Sequence, residues 1–145
     1  MAAGAWTVTN AIKERIGNAE VNFDTDTFKV RLYASTSNLA ATSDDATAVT
    51  NELSTANGYT AGGAAVTGSW TRSGGTATFD LTTDPSWTAS GGSIVARFAA
   101  IVDETPTPDR VVAYCLLDNT PADVTTTTGN TLTIQISASG VFTLT

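Results

Sequence analysis

The residues that could do chemistry are sparse, and the missing types decide more than those present. The chain has no histidine. That removes the commonest general base, the usual nitrogen ligand for a transition metal, and every Ser–His or Cys–His nucleophile pairing. Its one cysteine, Cys115, stands in the apolar run Val-Val-Ala-Tyr-Cys-Leu-Leu. With no imidazole to activate it and no second cysteine to pair with, it reads as a buried, inert thiol. Asp24 with Asp26, and Asp44 with Asp45, offer oxygen ligands for a hard cation such as Ca²⁺. Neither pair fits an EF-hand loop, and aspartate as a turn former is the stronger reading. Asp103 and Glu104, followed by Pro106 and Pro108, read the same way. No two acids are spaced to flank a glycosidic cleft. Gly58, Gly62 and Gly63 lack the Gly-Lys-Ser/Thr ending of a phosphate loop and the spacing of a dinucleotide fingerprint, and instead permit positive φ in a tight loop. The expectation is a chain that is not an enzyme and that folds without metal or cofactor.

Contact chemistry is what remains, and the aromatics carry it. Trp6 stands in an arm of small residues. Either it packs back beside Ile12 and Ile16, or it anchors in a neighbouring subunit. Burying a tryptophan removes roughly 200 Å² from water, on the order of 4–5 kcal/mol before ordering costs. Tyr59 either anchors its loop in the core or forms an exposed contact. Trp6, Ile12, Ile16 and Tyr59 are therefore the candidate subunit contacts. Trp70 and Trp87 read as core or rim residues of sheets.

At 145 residues the chain is expected to form one domain, residues 1–145. Its net charge is −7 and its pI about 4.2, so a phosphate backbone would be repelled and nucleic-acid binding is not expected. Charged residues make up only 14 %. Threonine, β-branched and suited to strands, takes the missing share. No apolar run is long enough for a membrane-spanning helix. The first ten residues lack the basic and apolar regions of a signal peptide, so synthesis in the cytoplasm is expected.

The elements that must position these residues follow from periodicity. Residues 1–18 read as an arm and one short helix, capped by Thr9 or Asn10 and stopped at Gly17, with Ile12 and Ile16 on one face. Phe28, Val30 and Leu32 alternate with Lys29, Arg31 and Tyr33 as a half-buried strand. Residues 35–63 lose periodicity and read as a long ordered loop, in which Asp44, Asp45 and Glu52 frame a helical turn. Strands then follow over residues 66–72 and 76–81, joined by the turn Ser73-Gly74-Gly75. Asp84-Pro85-Ser86-Trp87 reads as a turn. The nearly continuous apolar runs 94–102 and 111–117 read as strands covered on both faces. Leu132, Ile134 and Ile136 alternate in a further strand, and Val141, Phe142 and Leu144 close the chain. The expected fold is mainly β: an antiparallel sandwich or barrel of about seven or eight strands with a short N-terminal helix.

One order of segments is more specific. A tryptophan near the start precedes a short helix, then Asp-Thr-Phe-Lys-Val-Arg-Leu-Tyr (26–33), then Asn-Glu-Leu and Gly-Tyr-Thr-Ala-Gly-Gly within 51–63, then tryptophan-punctuated β structure. That order resembles small structural proteins of tailed-phage particles, best over residues 6–63. The resemblance implies a capsid decoration, or cement, protein located on the virion. Its partners would be the major capsid protein and copies of itself, most simply as a trimer. A tail or head-fibre component is the alternative within the particle. A carbohydrate-binding β-sandwich module, with Tyr59, Trp70 and Trp87 as sugar platforms, is the alternative outside it.

Overall fold

The computed structural model describes residues 3–145; Met1 and Ala2 of the expected arm lie outside the described residues. The chain is mainly β, 38 % strand and 8 % helix. Among the described residues there are twelve short strands and one α-helix. In order these are β1 Thr7–Val8, α1 Asn10–Gly17, β2 Phe28–Tyr33, β3 Ala64–Val66, β4 Gly68–Ser73, β5 Thr76–Leu81, β6 Ser86–Thr88, β7 Ile94–Ala96, β8 Phe98–Asp103, β9 Arg110–Leu116, β10 Val124–Thr126, β11 Thr131–Thr133 and β12 Phe142–Leu144. Every pairing is antiparallel. A five-stranded sheet, β1-β9-β8-β2-β3, faces a three-stranded sheet, β12-β5-β4, and two ribbons, β10-β7 and β11-β6. The arrangement is sandwich-like and not closed.

The strand count exceeds the expected seven or eight because two runs bend between sheets and because β1, β6 and β10 were not expected as strands. The apolar run 94–102 breaks at Arg97: β7 pairs with β10, whereas β8 enters the five-stranded sheet. Arg97 marks the bend, its Nε donating to Asp123 at 2.7 Å. The run 66–72 breaks at Thr67, so β3 pairs with β2 while β4 forms a hairpin with β5. Gly68 makes that corner possible, since a Cβ there would lie 2.3 Å from the Phe23 carbonyl oxygen. Ser86 and Trp87, expected in a turn, form β6, and Trp87 is buried.

Strand β2 is not half-buried as its alternation predicts. Phe28, Val30 and Leu32 enter the main core, but Tyr33 is also buried and Arg31 nearly so. The long loop supplies the second cover. Leu39, Ala46 and Val49 pack with Tyr33, Ala100, Val102 and Val111 on the outer face of the five-stranded sheet. Asp45 shapes this stretch, accepting from the Thr47 amide at 2.8 Å to cap the short 3₁₀ turn Ala46–Ala48.

The second half of the loop closes a sheet edge. β3 pairs with β2 only from Phe28 to Val30. Beyond it, the Leu53 amide donates to the Leu32 carbonyl at 2.9 Å, and the Leu32 amide donates to the Tyr59 hydroxyl at 3.1 Å. That hydroxyl in turn donates to Glu52 Oε1 at 2.8 Å, which also receives the Gly62 amide at 2.6 Å. Backbone groups that an open edge would leave bare are thus satisfied by one loop.

The helix ends differently from the expectation. Thr9 is the N-cap residue as expected, but its side chain makes no capping bond; its hydroxyl donates to the Val111 carbonyl at 2.7 Å and so ties the helix start to β9. Gly17 is the last helical residue rather than the stop. Asn18 is the C-cap, and Ala19 takes the positive φ of 56°.

Candidate assembly surface

The structure separates the four candidate contact residues. Ile12 is 1 % exposed and Tyr59 2 % exposed, so neither presents surface to a partner. Tyr59 is spent on the loop latch, so of its two readings the core anchor of its loop holds and the exposed contact does not. Trp6 is half-buried and packs against the chain's own core, as does Ile16. The arm that carries Trp6 lies along β9: the Gly4 amide donates to the Leu116 carbonyl at 2.9 Å, and Thr7 pairs with Tyr114.

Ile16 opens onto an apolar surface slot. Val8, Lys13 and Ile16 form one wall, and Phe142, Thr143 and Leu144 the other, around a volume of about 220 Å³. Leu144 is 44 % exposed. Among the described residues β12 pairs with β5 alone, so the strand edge beside the slot is open. An apolar slot bordered by an unpaired edge and one exposed lysine has the make-up of a protein contact surface. The sequence signal for the second wall was the alternation Phe142-Thr143-Leu144. Nothing local to it indicates that it meets α1.

The glycan-platform reading asks for exposed aromatics. Tyr59 and Trp87 are buried, and Trp70 is half-buried against Phe23 at a ring-centroid distance of 5.2 Å. Two of the three proposed platforms therefore offer no face to a sugar.

The carboxylates have structural partners. Asp24 Oδ1 accepts from the Trp70 amide, and Asp26 Oδ2 from the Asn22 amide, both at 2.6 Å. Asp44 Oδ2 receives Arg15 at 2.8 Å and Arg110 at 3.0 Å. Among the described residues no group of three or more potential ligands from His, Cys, Asp and Glu surrounds a common point. Arg31 bridges Glu104 at 2.8 Å and Asp109 at 2.6 Å. Burial works against its charge, yet those two bonds carry its pKa further up. Burial also pushes the Cys115 thiol up to about 12, which removes thiolate chemistry near neutral pH.

Asp103 is the unusual carboxyl. It is 1 % exposed, at the end of β8. Burial pushes its pKa up to about 6; the Thr105 amide, donating at 2.9 Å, opposes the rise, and the neighbouring Asp26 carboxylate adds to it. The folded chain therefore holds this proton more tightly than the unfolded chain does. The resulting stability is fully present below the unfolded carboxyl's pKa and is lost as pH rises through about 6. The whole contribution is at most about 3 kcal/mol. Asp103→Asn keeps an acceptor for Thr105 and can donate to Asp26. Its melting temperature should exceed the wild type's at pH 7.5 and converge with it near pH 4. Parallel melting curves across that range would contradict this assignment.

No protein family, no curated protein and no solved structure matches this chain.

Proposed function

We propose that this chain is a structural protein of a tailed-phage particle, a decoration protein that binds the assembled head and stabilises it without a catalytic step. The observation that carries this reading is the order of segments over residues 6–63. Trp6, the short helix, β2 and the Asn-Glu-Leu to Gly-Gly loop follow one another as in such proteins. The β-rich fold and the absence of histidine are compatible with it.

The physical role follows from linkage. A protein that binds only the assembled shell adds its binding free energy to the shell's stability. Bridging adjacent capsid subunits as a trimer would place that energy across the seams. The slot between α1 and β12 is the surface we assign to contacts with the major capsid protein or with a second copy. The acidic threonine-rich surface would face outward, where it limits contact with anionic cell surfaces.

Leu144→Glu tests the slot. The side chain is exposed, so the melting temperature of the free chain should change little. Attachment to particles, or self-association in sedimentation, should weaken about tenfold or more. Unchanged attachment and unchanged self-association would remove the slot from the proposal. The stabilising role itself is read from DNA release on heating. Particles lacking the protein should release DNA at a lower temperature, and adding it back should restore the original value. Equal release temperatures would overturn the role.

A further inference from the structure

A second opening in the sandwich lies away from the slot. β10 and β11 are consecutive strands joined by residues 127–130, yet they do not pair with each other. β10 pairs with β7 and β11 with β6. Their connecting turn is pinned between the ribbons: the Gly129 amide donates to the Ala89 carbonyl at 2.8 Å, and the Ala89 amide to the Asn130 carbonyl at 2.9 Å. The splay is thus built into the backbone. Between the strands lies a cavity of about 400 Å³, with Cys115, Leu117, Val124 and Ile134 buried around it and Leu132 half-buried. Thr133 and Gln135, both exposed, border its opening.

We infer that this cavity is a binding site for a small, uncharged, largely apolar molecule with one polar group. Three observations select that class. The volume falls within the roughly 300–1,000 Å³ of small-molecule sites. Among the described residues, no lining residue carries charge at neutral pH, since the Cys115 thiol stays protonated, so a charged ligand would be desolvated without a counter-charge. Among the described residues, the two exposed large apolar residues, Val95 and Leu144, lie outside the lining, so no described apolar apron surrounds the mouth. A protein partner needs roughly 800 Å² of such surface on each side. The apolar body of the ligand would meet the Val124, Leu132 and Ile134 side chains, and its polar group would stay at the opening, which the exposed Thr133 and Gln135 border. The inference is independent of the proposed particle function.

The test uses the full chain and the neutral fluorophore N-phenylnaphthylamine. Its emission should rise and saturate at one site per chain. Methyl-resolved NMR should show the Leu117, Val124, Leu132 and Ile134 signals moving along the same curve, while Leu39 and Val49 on the opposite face stay fixed. Leu132→Trp should fill the cavity and weaken binding about tenfold or more. The wild-type methyl shifts decide the matter even if that variant does not fold. Absence of saturable binding, or shifts confined to residues outside the cavity, would overturn the inference. So would cavity methyls that move with protein concentration alone, since the occupant would then be a second copy of the chain.

Discussion

Gly63→Ala should lower the stability of this chain by about 4 kcal/mol, the range in which single substitutions become diagnostic of a specific clash. Gly63 has a φ of 80°, and a Cβ there would stand 2.1 Å from the Val30 carbonyl oxygen and 2.7 Å from its carbon. Both atoms are backbone of a central strand, so neither can turn aside as a side chain would. The loop must lift instead. Lifting it breaks the latch of Tyr59, Glu52 and Gly62 and strips the cover from the β2 edge. Gly74 is the control. Its φ is 58°, and a Cβ there meets nothing within 4 Å. Gly74→Ala should cost only about 1 kcal/mol of backbone strain. Urea unfolding of the two variants separates the effects. Equal losses for both would show that the close approach at Gly63 is not what holds the loop.

Phe79→Ala should cost a similar amount by a different route, about 4 kcal/mol from lost burial and the cavity left behind. Phe79 has no exposed surface. Its ring centroid lies 4.3 Å from Phe23, 5.4 Å from Phe28 and 5.6 Å from Phe142, so it joins the three-stranded sheet to β2 and to the segment before it. The melting temperature should fall by roughly 10 °C. Trp70 packs on Phe23 and Phe142, so its emission should shift to longer wavelength as that cluster loosens. A variant that melts within a few degrees of the wild type would mean the surrounding rings close the gap without loss.

Much of the fold was legible where strands obey a two-residue period. The alternation of residues 28–33 and 76–81, the apolar run 111–117 and the Gly74-Gly75 turn appear as β2, β5, β9 and the β4–β5 hairpin. The bends at Thr67 and Arg97 were not legible, because a strand that changes sheets keeps its composition through the corner. β10 was hidden in a threonine run that carries little apolar contrast. The outer-face cover of Leu39, Ala46 and Val49 escaped notice for a related reason: its apolar residues lie in irregular backbone, where no period marks them. The contact residues were legible only in part. Ile16 stood out by helical spacing, but its partners Phe142 and Leu144 come from the other end of the chain. Tyr59 stood out as an aromatic beside glycine. Its hydroxyl's role in sealing β2 depends on a long-range backbone donor that spacing does not reveal.

The proposed function rests on where the protein sits. Imaging of purified particles by cryo-electron microscopy, with density fitted to this fold, measures that directly. The proposal predicts repeated copies on the outer face of the head, arranged about three-fold or quasi-three-fold positions, with the α1–β12 slot against capsid protein or a neighbouring copy. Copies found only on the tail would contradict the decoration role and favour the tail component. Absence from the particle altogether would contradict the structural-protein reading as a whole.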